Sequence, residues 1–247
     1  MCGRYASARG KHELLEEFQV ELDGASDEEL APDYNVAPTK NVYAVLSRVP
    51  KGGERAVRQL RVLRWGLVPA WAKDPSSGAK MINARAETVA EKPAYRKAFA
   101  QRRCLIPADG FYEWYKSDKN PKKKQPYYIH PRDGGVMAMA GLYEFWKDPS
   151  RAADDPLRWL ATCTIITTDA EDDIGHIHDR MPMLIETDRW AEWLDPMLTD
   201  PGAARRLLVP PTPGRLAARP VSTAVNDVRK NGPELVKEVD GDESALF

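Results

Sequence analysis

Apolar and polar side chains alternate in part along 41–49 (NVYAVLSRV) and 56–68 (AVRQLRVLRWGLV), and both runs are rich in β-branched residues. Such alternation gives each face of a strand its own set of side chains, and the intervening KGGE supplies a turn, so the pair is expected to form a hairpin. Further strands are expected in RCLIPADGFYEWY (103–115), PYYIH (126–130), VMAMAGLYEFW (136–146) and LRWLATCTIITT (157–168), with PRDGG as the turn between the second and third. Helices are fewer. KHELLEEFQ (11–19) places Leu14, Leu15 and Phe18 on one face; KPAYRKAFAQRR (92–103) opens with Pro93 near its first turn and sets Tyr95 four residues before Phe99. TDRWAEWLD (187–195) starts at a cap, Thr187, and spaces Trp190, Trp193 and Leu194 as a core stripe.

Arg64 and Trp65 read as packing the hairpin's edge, PSSGAK (75–80) as a flexible connection, and VPPTPGRLAARP (209–220) as a surface loop. Short connections between successive strands favour antiparallel pairing. The expectation is an α+β fold: one domain over residues 1–237 with a curved, barrel-like, mainly antiparallel β core and flanking helices, then an acidic tail at 238–247.

Composition narrows the function classes. The net charge of −1 excludes a globally basic nucleic-acid binder but leaves room for a local patch. KSDKNPKKK (116–124) reads as a solvated hairpin loop. No apolar run approaches the ~20 residues of a membrane span, and no signal-peptide core is present, so a cytoplasmic protein is expected, or a nuclear one in a cell with a nucleus. The three cysteines lack C-x-x-C spacing, which argues against a disulfide framework and a structural zinc site. Cys104 and Cys163 lie in apolar runs and read as buried hydrophobes.

Cys2 differs, because it sits behind the initiator methionine and before Gly3. Removal of Met1 would give one residue both a free amine and a thiol. An α-amine, with a pKa of roughly 7.7–8.0 against about 10.4 for lysine, offers far more of its neutral, nucleophilic form near pH 7.

Polar residues gather among aromatics and prolines in YNVAPTK, RWGLVPAWAKD, MINARAET, RRCLIPADGFYEW and IHDRMP. Together with MCGR and PVSTAVNDV these motifs resemble, in type and order over nearly the whole chain, the SRAP family, whose members shield abasic sites in single-stranded DNA. The resemblance implies a single domain of packed strands with flanking helices, and a covalent link between Cys2 and the ring-opened aldehyde of an abasic site, closed by the thiol into a thiazolidine. It carries over three helpers: Asn83 to orient the Cys2 amine or thiol, Glu113 as a general acid raised in pKa by burial, and His178 for proton transfer. Arg4, Arg85 and Arg180 become phosphate candidates, and Pro38 and Trp71 candidates for wedging or stacking, although core packing suits Trp71 as well. Taken singly, the Glu, His and Asn each have an ordinary structural reading.

On this reading no metal or organic cofactor is called for. The partners are single-stranded DNA containing abasic sites and, as candidates, replication-fork proteins; a monomer is expected. Lyase-like and thiol autopeptidase activities are further candidates. Three alternatives stay open: an N-terminal-nucleophile glutamine amidotransferase, a reader of nucleic acid that makes no bond, and a peptidase built on Cys2, Glu113 and His178.

Overall fold

A computed structural model describes residues 2–25, 29–116, 124–170 and 172–239. In chain order the strands are β1 (Tyr5–Ser7), β2 (Leu22–Asp23), β3 (Asp33–Val36), β4 (Asn41–Arg48), β5 (Val57–Trp65), β6 (Asn83–Arg85), β7 (Arg103–Ala108), β8 (Gly110–Lys116), β9 (Lys124–Pro131), β10 (Met137–Lys147), β11 (Trp159–Asp169), β12 (Arg180–Pro182) and β13 (Leu216–Pro220). The expected hairpin is present as β4–β5, from Asn41 opposite Arg64 to Arg48 opposite Val57.

Five strands close on themselves. The ring runs β11–β10–β7–β4–β5, and β5 returns to β11 through a parallel contact that sets Arg64 against Thr162 and Trp65 against Cys163. A closed ring removes the unpaired edges that an open sheet would present. A second sheet, ordered β13–β9–β8–β1–β3, packs beside it. This is the α+β, barrel-like, mainly antiparallel fold expected from the sequence.

Several local expectations are corrected. The run 103–115 is two strands, because the chain breaks at Asp109, whose carboxylate accepts the Ala8 N–H at 2.6 Å and the Arg9 Nε–H at 2.9 Å. β7 joins the barrel and β8 the second sheet. The PRDGG turn likewise links β9 and β10 across the two sheets, so they form no hairpin. LAARP, expected in a loop, is β13 and pairs with β9. Trp65 is no edge residue: it is fully buried, donates Nε1–H to the Ile82 carbonyl at 3.0 Å, and meets Tyr5 edge-on at 5.2 Å.

PSSGAK forms a short 3-10 helix (Pro75–Lys80) capped by Asp74. It packs on the backbone of Gly66, where φ is +124° and a Cβ would lie 2.5 Å from the Gly78 carbonyl oxygen. That contact leads the chain into β6 and so positions Asn83.

Helices cover the outside of the barrel. α1 (Lys11–Glu17) buries Leu14 and delivers Phe18, which stacks on Trp190 at 4.6 Å. α2 (Arg96–Gln101) starts three residues beyond Pro93, because Tyr95 and Arg96 both first turn back to the Lys92 carbonyl. After α3 (Asp172–Gly175), Thr187–Arg189 forms a 3-10 turn ahead of α4 (Trp190–Leu194), which buries Trp190, Trp193 and Leu194 as expected; Thr187 lies inside that turn rather than capping it. α5 (Pro201–Arg206) follows, capped by Asp200. Residues 117–123 of the basic loop and 240–247 of the acidic tail lie outside the described residues.

Candidate active site

The polar residues converge where the two sheets meet. β11 carries β6 on one side and β12 on the other, with Thr167 opposite both Arg85 and Pro182. This brings Asn83 and the IHDRMP stretch together. From the second sheet, Tyr5 of β1 pairs with Phe111 of β8, which sets Cys2, just ahead of β1, close to Glu113.

Cys2 is fully buried and packs with Tyr5 and Val36. Burial pushes its thiol pKa up strongly; the nearby Glu113 carboxyl adds to this, and the Arg4 backbone N–H opposes it. Asn83 donates Nδ2–H to the Cys2 carbonyl at 2.8 Å, so it grips the backbone of Cys2. The Asn83 Oδ1 is buried with no hydrogen-bond partner among the described residues. Tyr95 steadies this strand, donating its hydroxyl to the Asn83 carbonyl at 3.1 Å. Removal of Met1 falls outside the described residues.

Glu113 is 3% exposed, and burial lifts its carboxyl pKa to about 7. A carboxylic acid that keeps its proton near neutral pH can serve as a general acid. His178 Nε2 lies 3.8 Å from Glu113 Oε2, a gap for a proton relay once a reactant or water intervenes. Burial lowers the His178 pKa, which keeps the ring neutral near pH 7. Its Nδ1 accepts the Arg180 backbone N–H at 2.9 Å, which assigns the ring proton to Nε2, facing Glu113. Asp179 Oδ1 also sits 3.0 Å from Nδ1, but that carboxylate is 87% exposed and a neutral ring with Nδ1 as acceptor offers it no proton.

Two of the three arginines are occupied within the fold. Arg180 is 8% exposed; its guanidinium binds both oxygens of Glu87 at 2.7 and 3.0 Å, Asp169 Oδ1 at 2.5 Å and the Thr167 carbonyl at 2.8 Å. This clamp fixes the loop that presents His178. Arg4 donates to Asn35 Oδ1 at 2.7 Å and to the Val225 carbonyl at 2.8 Å, and lies 6.0 Å from the Trp114 ring centre. Arg85 is exposed on β6.

Sequence reasoning missed Asn35. It is fully buried in β3; while Oδ1 receives Arg4, its Nδ2 group bonds the carbonyls of Val225, Asp227 and Lys230 at 3.3, 3.0 and 2.9 Å. Trp114 meanwhile donates to Asn226 Oδ1 at 2.7 Å. The C-terminal stretch around 225–230 therefore straps down the neighbours of both Cys2 and Glu113. Asn35→Ala is expected to cost about 1–3 kcal/mol, since it orphans several buried groups at once. The check is a thermal melt together with faster proteolysis between 222 and 239.

Pro38 is half-buried and begins the turn after β3, where Thr39 adopts φ +74° at a place usually reserved for glycine. Trp71 is 70% exposed, so the core-packing alternative for it is set aside. Pro69, Pro93, Arg96 and Lys97 line a cavity beside it. Among the described residues no cluster of three or more His, Cys, Asp and Glu side chains could hold a metal ion.

The family model for the SOS response associated peptidase (SRAP) matches residues 1–228. The chain belongs to the SRAP family. Relatives in the family include the abasic site processing protein YoqW of Bacillus subtilis, 41% identical over 96% of this chain and 99% of the relative. The abasic site processing protein HMCES of Gallus gallus is 33% identical over 97% of this chain and 78% of its own. A crystal structure of a Bacteroides thetaiotaomicron protein superposes with a TM-score of 0.81 at 26% identity, covering 96% of this chain and all of the other. This SRAP chain thus shares its architecture with that solved structure.

Proposed function

We propose that this protein processes abasic sites in single-stranded DNA by bonding Cys2 covalently to the lesion, after cleavage of the bond between Met1 and Cys2. The observation that carries the reading is the convergence of Cys2, Asn83, Glu113 and His178, from four separated stretches of chain, around a carboxyl poised near pH 7. The names of the relatives YoqW and HMCES support the choice of substrate.

The chemistry balances with one water lost. An abasic deoxyribose opens to an aldehyde as Glu113 donates a proton to the departing ring oxygen and the C1′ hydroxyl releases its own proton to solvent. The neutral α-amine of Cys2 adds to the aldehyde carbon, and loss of water gives a Schiff base. The thiol sulfur then attacks the same carbon, its proton passes to nitrogen, and a five-membered thiazolidine closes. Burial favours this order, because the raised thiol pKa leaves the amine as the first nucleophile. Proximity is built into one residue. Asn83 holds the Cys2 backbone, and its Oδ1 is an acceptor suited to the amine; neutral His178 directs its Nε2–H toward Glu113, as a hydrogen-bond donor to the carboxylate left when Glu113 gives up its proton.

A single-stranded substrate fits, since the aldehyde must be extruded from a stack to enter the site. Trp71 supplies a stacking surface, with Arg85 as the exposed phosphate contact. Trp71→Ala is expected to weaken binding to an abasic single strand by about 1–3 kcal/mol, the worth of one stacked base, while the melting temperature stays put; fluorescence anisotropy and a melt read the two.

The full burial of Cys2 favours one second reading, a binder that makes no bond and uses Cys2 as core. The two part on a denaturing gel. An oligonucleotide with one abasic site is expected to give a slow-migrating adduct that the same strand with a tetrahydrofuran site, lacking the aldehyde, does not give. Absence of adduct from both strands would leave the non-covalent reading.

A further inference from the structure

The barrel has a second polar opening, at the other end of β11 from the candidate active site. Residues 163 and 165 of β11 face the barrel core, so Ala161 and Trp159 continue that face outward. The same alternation brings Arg48 of β4, Arg61 of β5, and Phe145 and Lys147 of β10 to the mouth. From Ala161 to Thr167 the strand advances about 20 Å, so this opening is separate from the site at β6 and β12.

The mouth holds a cavity of about 330 Å³ lined by Leu46, Leu63, Phe145 and Ala161 with Arg48 and Arg61. That volume is within the range of pockets that take small ligands, for which barrel mouths are frequent sites. Arg61 is set in place: its Nε and Nη2 donate to Gln59 Oε1 at 3.1 and 2.8 Å, and Nη1 donates to the Gly24 carbonyl at 3.1 Å. Gln59, itself buried, donates its amide to the Arg48 carbonyl at 2.9 Å. A Cβ on residue 24 would collide with the Arg61 guanidinium, so glycine there keeps the space for it.

Charge and shape at the mouth select a class of ligand. Arg48 lies 5.0 Å from the Phe145 ring centre and Lys147 5.8 Å from that of Trp159, which is 57% exposed. Arg61 is held by neutral acceptors, and no carboxylate lies among the described residues that line the cavity. A guanidinium lying on an aromatic face, Arg48 on Phe145, with a second guanidinium, Arg61, lining the same cavity, matches a phosphate attached to a flat ring.

We propose that this mouth binds a nucleoside phosphate, through Arg48 and Arg61 to the phosphate and through Phe145 or Trp159 to the base. A free mononucleotide and the phosphorylated end of a strand share this chemistry. The proposal is independent of the chemistry assigned to Cys2.

The test is calorimetric titration of the full chain with 2′-deoxyadenosine 5′-monophosphate, with inorganic phosphate, and with a short single strand with or without a 5′-phosphate. The mononucleotide is expected to bind at least tenfold more tightly than inorganic phosphate. Arg48→Ala, an exposed change, should weaken it at least tenfold, and Gly24→Val should do the same by displacing Arg61. A strand that gains affinity from its 5′-phosphate only when Arg48 is present would assign the site to strand ends; affinity for the mononucleotide alone would assign it to free nucleotide. Binding that is absent for both, equal for inorganic phosphate, or unchanged in Arg48→Ala would overturn the proposal. Cys2→Ala is expected to leave this binding unchanged, so a failure of the covalent reading would show separately.

Discussion

A Cys2→Ser protein incubated with a strand containing one abasic site is expected to give no adduct that survives denaturation without a reductant. Serine keeps the α-amine, so a Schiff base still forms and borohydride should trap it. What is lost is the sulfur that closes the ring and removes the electrophilic imine. Cys2→Ala should behave in the same way, whereas an amine-only mechanism predicts that both variants form as much lasting adduct as the parent. Because Cys2 is fully buried, the variants also need a melt. A hydroxyl buried there costs about 1–3 kcal/mol, which a stable fold tolerates.

Glu113→Gln is expected to slow adduct formation at pH 7 by about 10²–10⁴-fold, the usual worth of a positioned acid. The pH profile gives a sharper readout. With its pKa near 7, Glu113 loses its donating form as the pH rises through neutrality, while the amine gains its neutral form toward 7.7–8.0. The parent rate should therefore peak close to neutral pH, and the glutamine variant should lose the limb that falls from about 7. Stability moves the other way. The folded pKa is raised above the ordinary carboxyl value, so the stabilising, protonated form is fully present below that ordinary value and is lost as the pH climbs through about 7. Glutamine avoids the buried charge, and Glu113→Gln should be the more stable protein at pH 8, on the order of 1–3 kcal/mol, with the gain vanishing at pH 4. Slower chemistry with a higher melting temperature marks a site that holds strain for function.

The strands and the tryptophan stripe were legible because each follows from local pattern: β4 and β5 are short runs rich in apolar and β-branched residues on either side of a turn, and Trp190, Trp193 and Leu194 share one helical face. Sheet membership was not. Nothing local distinguishes β7 from β8, since the switch between sheets is made at Asp109 by contacts to Ala8 and Arg9, a hundred residues earlier. β13 escaped notice because LAARP is short and sits among prolines, and its pairing with β9 is a tertiary effect.

The candidate site divides the same way. Short motifs named Cys2, Asn83, Glu113 and His178, and the fold brings them together. The motifs could not say that Asn83 would hold a backbone carbonyl, or that Arg180 would spend its guanidinium on Glu87, Asp169 and Thr167. Asn35 lies within one of those motifs, YNVAPTK, yet its task depends on carbonyls at 225–230 that only the folded chain supplies.

The most direct test of the central claim is the intact mass of the adduct formed between this protein and a single strand carrying one abasic site, measured without reductant. The account predicts the mass of the chain lacking Met1 plus the strand minus one water, with the modified residue mapped to Cys2. An adduct that retains Met1, or one mapped to a lysine, would contradict it.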